Sequence, residues 1–424
     1  MIAMSIAFVL LLIAGVPIVF ALGISGAFGL WALDLDLVTV PTRLFTGMDN
    51  FVLLAAPFYI LAGEIMNRGG ITTRLIRLAG LLTRGVPGAT AYANVSSSVL
   101  FAGISGAAVA DTAALGQIFI KGMPEEGYSK HYAAAVTIAS SIIGPIIPPS
   151  VIMIIYAAVT RQSVIDLFFV AGIVPGLLMA GSMAAVIRFQ ARGGRLPKSD
   201  TRIEPGELGT LVRDGLLVMG LPALIVLGTL LGIFTATEAG GVAVLYALLI
   251  SVFVFRSIDL ASFWSALKRS ARITATIYLI IAAATVMSYV LTVGGIATWV
   301  NAFAQFFQGN PTLFLLALMA ILLVVGTFLE PGAAIVLLVP MLMPVTAGMA
   351  IDPLQLAMVI ILTLTLGLIT PPVGVCLFVA CRIADSPVTP IVRAVLPFLF
   401  AEICVVVLLI LFPDLSSFLP TLLR

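Results

Sequence analysis

The sequence predicts an all-α integral membrane protein with two inverted repeats, each containing a re-entrant helical hairpin and a broken transmembrane helix. Three observations predict this fold class: an apolar composition, hydrophobic stretches of spanning length, and a glycine and proline pattern that occurs twice. Of the 424 residues, 61% are hydrophobic and 9% are charged, whereas soluble chains carry about 25% charged residues. The bilayer is therefore the expected solvent, with about 9–11 crossings.

A transmembrane helix needs roughly 20 apolar residues. Stretches of this kind lie at 51–66, 132–160, 164–187, 214–233, 239–255, 273–292, 355–381 and 391–412. Residues 1–33 hold one long span or two short ones, because Pro17 and its neighbouring glycines can turn the chain. This segment lacks the basic beginning and the cleavage site of a secretory signal, so we expect it to be retained.

The basic residues predict the orientation, because Lys and Arg in short loops remain cytoplasmic. All of the 21 except Arg43, Arg161 and Arg424 fall on one side if two further apolar stretches, 88–120 and 311–345, enter and leave by the same face. These two stretches are predicted to be re-entrant hairpins. Small residues interrupt each near its middle, Gly103 to Gly106 in the first and Pro331-Gly332 after Glu330 in the second.

The repeat has an offset of about 223 residues, which aligns Gly144 to Pro149 with Gly367 to Pro372. An odd number of crossings separates the copies, so the second is expected to be inverted. The predicted organisation is a first repeat at 1–187 with its broken helix at 132–160, a basic cytoplasmic linker at 188–213, and a second repeat at 214–424 with its broken helix at 355–381.

The paired prolines have a physical consequence, because proline has no amide hydrogen and leaves helix carbonyls unpaired in mid-membrane. A sodium ion, buried water or neighbouring helices can each satisfy such carbonyls. Two inverted repeats with hairpins and broken helices are typical of secondary transporters, whose sites lie at the repeat interface. The half-helix N-termini after the breaks favour an anionic substrate.

Four segments carry a resemblance to a known family: Leu61 to Gly70, Phe101 to Thr112, Ser140 to Ser150, and Gly367 to Gly374. Over its whole length the chain resembles the large membrane subunit, of the DctM type, of a TRAP (tripartite ATP-independent periplasmic) transporter. The resemblance implies sodium-driven uptake of a small organic acid anion, such as a C4-dicarboxylate or sialic acid, by an elevator mechanism. It also implies a small four-helix membrane subunit, a periplasmic binding protein, and a bacterial or archaeal inner membrane.

The resemblance further implies site residues in which backbone carbonyls bind Na⁺, with two or more ion sites and no organic cofactor. The first sodium site is expected at Ser105, Gly106, Gly144 and Pro148. The second is expected at Gly326, Thr327, Gly367, Thr370 and Val373. Substrate is expected between them, near Ser105, Pro149, Ser150, Gly332 and Pro372. Segments 68–84 and 294–308 fit the amphipathic arms of an elevator, although the second is uncharged and fits a short buried helix equally well.

Four acidic residues in or near the spans are functional candidates. Asp111 and Glu330 follow or form the hairpin tips and are expected to orient the tip backbone, or else to bind an ion directly. Glu64 is interpreted as an interfacial partner of Arg68, and Glu238 as solvated.

Three other classes of function are weighed against transport by a TRAP subunit. A self-sufficient ion-coupled dicarboxylate carrier has a similar repeat plan and is the main alternative. An intramembrane enzyme is not expected, because no His-Glu-x-x-His, Gly-x-Ser-x-Gly or paired-aspartate motif is present. The net charge of +2 is too small to indicate nucleic-acid binding, and the three cysteines have no neighbouring histidine that would indicate a zinc site.

Overall fold

The computed structural model describes residues 2–192, 196–197, 207–307, 309–349 and 351–415, and every regular element in these ranges is helical. Seven helical segments are long and apolar enough to cross a membrane. They are Phe51–Arg68, Asp166–Ala191, Leu208–Leu230, Ala236–Val254, Leu260–Val293, Pro311–Phe328 and Val388–Leu411. The all-helical membrane class is therefore confirmed.

The N-terminal segment forms two helices, which decides between the alternatives that the sequence left open. The first four helices are α1 (Ile2–Ile13), α2 (Ile18–Ala32), α3 (Thr39–Met48) and α4 (Ala55–Arg68). Gly15, with a φ of 77°, makes the turn between α1 and α2, a left-handed conformation that glycine adopts without steric cost.

The remainder of the first half contains an arm, a hairpin and an interrupted helix. The elements are α5 (Ile71–Leu82), α6 (Ala89–Ser105), α7 (Ala108–Gly122), α8 (Lys130–Ser141), α9 (Val151–Thr160) and α10 (Ile173–Ala191). A π-helical turn at Asp166–Gly172 leads into α10. The linker predicted at 188–213 lies partly outside the described residues.

The second half repeats this order after two connecting helices. Its elements are α11 (Glu207–Leu230), α12 (Ala236–Leu249), α13 (Leu260–Val293), α14 (Ile296–Phe306), α15 (Pro311–Phe328), α16 (Pro331–Gly348), α17 (Pro353–Gly367), α18 (Val375–Ala384) and α19 (Val388–Leu411). The arms α5 and α14 both begin after a left-handed glycine, Gly70 and Gly295. Trp299 and Phe306 on α14 are exposed, so α14 is a surface helix and not the short buried helix that the sequence also allowed. Inversion of the second half stays a prediction.

The helices form two groups, which are also in contact with each other, most extensively through α13 and α16. We call α2–α4 with α11–α13 the scaffold body, and α6–α10 with α15–α19 the hairpin body. Within the hairpin body, helices from the first half of the chain pack against helices from the second half: α7 packs on α18, and α9 packs on α16. Each arm touches both bodies: α5 contacts α6 and α11, and α14 contacts α16 and α13.

Arg74 connects the first arm, α5, to the scaffold body. The Arg74 guanidinium lies 3.1 Å from the Asp214 carboxylate of α11, donates to the Gly70 carbonyl at 3.0 Å, and covers the Phe255 ring at 3.8 Å. Such a guanidinium uses its charge, its fixed donor geometry and its flat face together. The α5 arm therefore has an ionic attachment to the scaffold body.

Candidate functional site

The tip of the first hairpin lies against the first helix break. Gly106 ends α6 in the left-handed conformation, with a φ of 60°. A Cβ atom added to Gly106 would lie 3.0 Å from the Pro149 carbonyl oxygen and 3.4 Å from the Val151 amide nitrogen. Ser105 is the last residue of α6, and its side chain lies outside the described part of the structure. The hairpin backbone and the break therefore meet without intervening side chains.

Asp111 connects α7, the second helix of this hairpin, to the same break. It is fully buried in the first turn of α7, and its carboxylate lies so close to Gly144 that a Cβ atom there would overlap it. A carboxylate in this position near the N-terminus of α7 is favoured by the helix dipole. Asp111 thus lies between the start of α7 and the first break, and its role at the hairpin tip stays a prediction.

Ser150 begins the helix after the break. Its hydroxyl accepts from the Met153 amide at 3.2 Å, which is the usual N-cap arrangement, and it donates to the Pro145 carbonyl. Pro145 lies four residues before Pro149, so its carbonyl has no helical donor. In this conformation the Ser150 hydroxyl replaces that missing donor.

Polar side chains between α6 and α8 hold the hairpin against the broken helix. The Asn94 amide donates to the Thr137 hydroxyl at 2.8 Å, and Ser140 donates to the Asn94 amide oxygen at 3.1 Å. Ser98 and Ser140 are 2.8 Å apart. All four residues are fully buried, and buried hydrogen bonds that are satisfied fix a unique packing.

The second hairpin meets the second break through a glycine pair. A Cβ atom added to Gly367 would lie 2.5 Å from both the Cα and the carbonyl oxygen of Gly326, so α15 and α17 are in backbone contact. The Gly374 amide, after the break, donates to the Thr327 carbonyl at 3.4 Å. The Thr370 hydroxyl donates to the Leu366 carbonyl at 2.8 Å. Gly326, Thr327, Gly367 and Thr370 are therefore brought together, with Val373 next to Gly374 in the chain.

The second hairpin tip also reaches the first half of the chain. Glu330 caps α16, because its carboxylate accepts from the Ala333 amide at 3.1 Å. A Cβ atom on Gly332 would lie 2.9 Å from the Ile155 side chain of α9. The start of α16 thus lies beside the helix that follows the first break.

The two breaks differ in exposure. Pro148, Pro149 and Ser150 are buried, whereas Pro372 is exposed. Both prolyl bonds, Pro148-Pro149 and Pro371-Pro372, are cis. A cleft of about 620 Å³ runs along α18, directly after the second break, and Arg382 is the basic residue in its lining.

The N-termini of α7 and α9 meet at the first break, the N-terminus of α16 lies beside the middle of α9, and the N-terminus of α18 contacts the end of α15. The contacts of Gly106 with the start of α9, of Gly332 with Ile155, and of Gly374 with Thr327 connect them. Helix N-termini present amide hydrogens and partial positive charge. This arrangement is suited to binding an anion.

The other acidic residues of interest, Glu64, Glu238 and Glu402, differ in their surroundings. Glu64 forms its shorter ion pair with Arg269 of α13, at 3.0 Å, and a longer one with Arg68, at 3.8 Å. Glu238 is exposed and forms a capping box with Thr235, a pairing that the Thr-x-x-Glu spacing could have predicted. Sequence reasoning missed Glu402, a fully buried carboxylate of α19, although one acid inside the apolar stretch 391–412 was a usable signal.

Comparison with a family model gives one match, to the DctM component of the tripartite ATP-independent periplasmic transporters, over residues 5–415. The chain is 36% identical to the sialic acid TRAP transporter large permease protein SiaM of Vibrio cholerae, over 97% of this chain and 96% of that protein. It is also 36% identical to the C4-dicarboxylate TRAP transporter large permease protein DctM of Pseudomonas aeruginosa, over 94% and 93%.

A longer relative and a solved structure complete the comparison. The sialic acid TRAP transporter permease protein SiaT of Haemophilus influenzae is 33% identical over 98% of this chain, which spans 67% of that protein. The Alcanivorax borkumensis YdaH transporter has a similar fold, with a TM-score of 0.62 over 90% of this chain and 88% of that one, at 15% identity.

Proposed function

Since the chain belongs to the DctM component family of the tripartite ATP-independent periplasmic transporters, and is thus an inner-membrane permease and not an enzyme, we propose that it imports a small organic acid anion by sodium-coupled transport. The observation that carries this proposal is that each hairpin tip is seated on a helix break through backbone contacts at glycine. Unwound backbone of this kind forms the binding site in many secondary transporters.

The residues at both breaks fit sodium. In the described residues no group of three or more His, Cys, Asp or Glu side chains could hold a metal. The proposed ligands are therefore main-chain carbonyl and hydroxyl oxygens. The proposed holders are the residues around Gly106, Gly144 and Pro148 in one site, with Ser105, and around Gly326, Thr327, Gly367, Thr370 and Val373 in the other. A bound Na⁺ would supply positive charge next to the substrate.

The proposed substrate is a small carboxylate, such as a C4-dicarboxylate or sialic acid, the substrates that the names of two relatives give. We place it between the breaks, near Ser105, Pro149, Ser150, Gly332 and Pro372. The N-termini of α7, α9, α16 and α18, which follow the hairpin tips and the breaks, favour an anion. Asp111 and Glu330 are proposed to orient the two hairpin tips.

An elevator movement is supported by the division into two bodies. The hairpin body carries both breaks and both tips, so a substrate bound there would travel with it relative to the scaffold body. The arms α5 and α14 contact both bodies and are suited to connect them during such a movement.

The proposed partners are a small four-helix membrane subunit and a periplasmic binding protein that delivers the substrate. This chain spans 67% of the longer relative SiaT. The additional length of SiaT supports the proposal that a second membrane subunit works with this chain. The proposed organisation of the chain remains two repeats, 1–187 and 214–424, joined by a basic cytoplasmic linker at 188–213.

The test is reconstitution into liposomes with both partners, followed by uptake of labelled carboxylates with and without an inward sodium gradient. We expect uptake only with the gradient and with the binding protein. Uptake that is indifferent to sodium contradicts the coupling ion, and uptake without the binding protein indicates a self-sufficient carrier.

Variants of the two breaks sharpen this test. Pro148→Ala and Pro371→Ala each restore a helix amide donor, and we expect each to lower transport more than the amount of folded protein. Equal loss of transport and of folded protein would mean that these prolines only support folding.

A further inference from the structure

Glu402 lies in the middle of the buried face of α19. The helix runs from Val388 to Leu411, and the Glu402 side chain has a relative exposure of 0%. Phe398 and Val406, one turn to either side, are equally buried. The carboxyl group therefore points into the hairpin body and not towards lipid.

Among the residues that the structure describes, this carboxyl group has no partner, unlike those of Glu64 and Glu330. Neither of its oxygens has a hydrogen-bond partner among the described residues. By contrast, Glu64 pairs with Arg269, and Glu330 caps a helix. A buried carboxylate without a compensating charge is strongly unfavourable, and an intramembrane acid without a partner is a functional candidate.

The surroundings of Glu402 follow from the register of α17 and α19. The Gln355 amide in the first turn of α17 donates to the Leu409 and Ile410 carbonyls in the last turn of α19, at 3.0 and 3.1 Å. Because these two helices pack together along their length, they must be antiparallel. Thr363, about 12 Å further along α17, then lies at the level of Glu402. Its buried hydroxyl also lacks a partner among the described residues.

No cation on the neighbouring helices is placed to neutralise Glu402. The helices that pack on α19 are α8, α10, α15, α17 and α18, and α15 and α17 carry no titratable residue. The basic residues of the others lie in their first or last turns: Lys130, His131, Arg188 and Arg382. The other titratable groups of these helices and of α19 are Tyr132, whose ring contacts Phe398, Cys376, Cys381, Cys404 and Arg393.

We propose that Glu402 is a proton-binding site, in which the side chain is held as a neutral carboxylic acid inside the hairpin body. Binding a proton removes the buried charge and turns one oxygen into a donor. Sodium does not suit this position, because α17 and α19 are continuous helices at this level and their carbonyls are used in helical hydrogen bonds. The proton site is thus separate from the proposed sodium sites at the breaks.

Infrared spectroscopy of the full chain in liposomes tests this directly and needs no substrate, so its result is independent of the proposed transport function. At neutral pH the wild type should show the carbonyl stretch of a protonated carboxyl group. That band should disappear in Glu402→Gln, which has nearly the same shape as the neutral acid. It should be unchanged in the control Glu238→Gln, which removes an exposed carboxylate.

Two results would overturn the proposal. One is a difference spectrum between wild type and Glu402→Gln that contains only carboxylate bands. The other is a Glu402 carboxylate band that shifts when sodium is replaced by choline, which would make the site a cation site. If Glu402→Gln does not fold, Glu402→Asp replaces it, because a protonated aspartate shifts the same band instead of removing it.

Discussion

The contact between Gly326 and Gly367 makes a strong prediction about the second ion site. In Gly367→Ala the new methyl group would lie 2.5 Å from the Cα and the carbonyl oxygen of Gly326, whereas ordinary van der Waals contact begins at 3.4 Å. The carbonyl carbon of Gly326 would lie closer still, so the two helices α15 and α17 must separate by more than about 0.9 Å, since the atoms on both sides of the contact belong to the backbone.

The expected magnitude follows from this overlap. Extra methyl groups in a packed interior cost about 1–3 kcal/mol, which corresponds to about a 5- to 150-fold change in an equilibrium constant. We expect the sodium concentration for half-maximal uptake to rise by a factor within that range, because Thr327 and Thr370 lie on the two separated segments. The assay is sodium-dependent uptake in liposomes that contain the complete transporter, with thermal unfolding measured in parallel.

The control is Gly181→Ala in α10, where an added Cβ atom meets nothing within 4 Å. Alanine in place of a helical glycine is favoured by about 1 kcal/mol, so this variant should transport normally and unfold at the same or a higher temperature. The reasoning is refuted if Gly367→Ala shows the sodium dependence and the stability of the wild type.

Two further predictions concern residues whose partners are visible in the fold. Ser150→Ala removes the N-cap of α9 and should destabilise the protein by about 1 kcal/mol, which a lower unfolding temperature would show. Ser150→Asn should restore most of the lost stability. An unchanged unfolding temperature for Ser150→Ala would contradict the capping role. Arg74→Gln breaks the ion pair with Asp214 and should slow transport, with a loss of stability of at most about 1 kcal/mol. The control is Arg213→Gln, which changes a more exposed guanidinium and should have little effect on transport. Equal transport rates for the two variants would argue against Arg74 as the residue that attaches α5 to the scaffold body.

Local patterns made most of the fold predictable. Spanning helices are long apolar stretches, and seven such segments are present. The positions of the turns followed from Gly106 and from the proline pairs, because the conformation of glycine and the missing amide of proline act within a few residues. The start of the chain was ambiguous for the same reason, since Pro17 and Gly15 permit either one bent span or two helices.

Partnerships across the chain could not be predicted in this way. Glu64 was assigned to Arg68, one turn away, but its shorter ion pair is with Arg269, about 200 residues later. Sequence spacing predicts neighbours within one helix, whereas packing of α4 on α13 decides this pair. Ser150 was expected to contact substrate, and its hydrogen bond to the Pro145 carbonyl became visible only in the fold.

The packing of α7 on α18, and of α9 on α16, has a consequence for folding during synthesis. About 270 residues separate Gly116 from Ile383, whose side chain packs against this glycine, so at cellular rates of synthesis the first hairpin waits roughly 10 to 50 seconds for α18. During that interval α7 can pack on α8 but lacks its contact with α18. Stalling the ribosome before α18 should therefore leave the first hairpin open to proteases and to the cell's quality control.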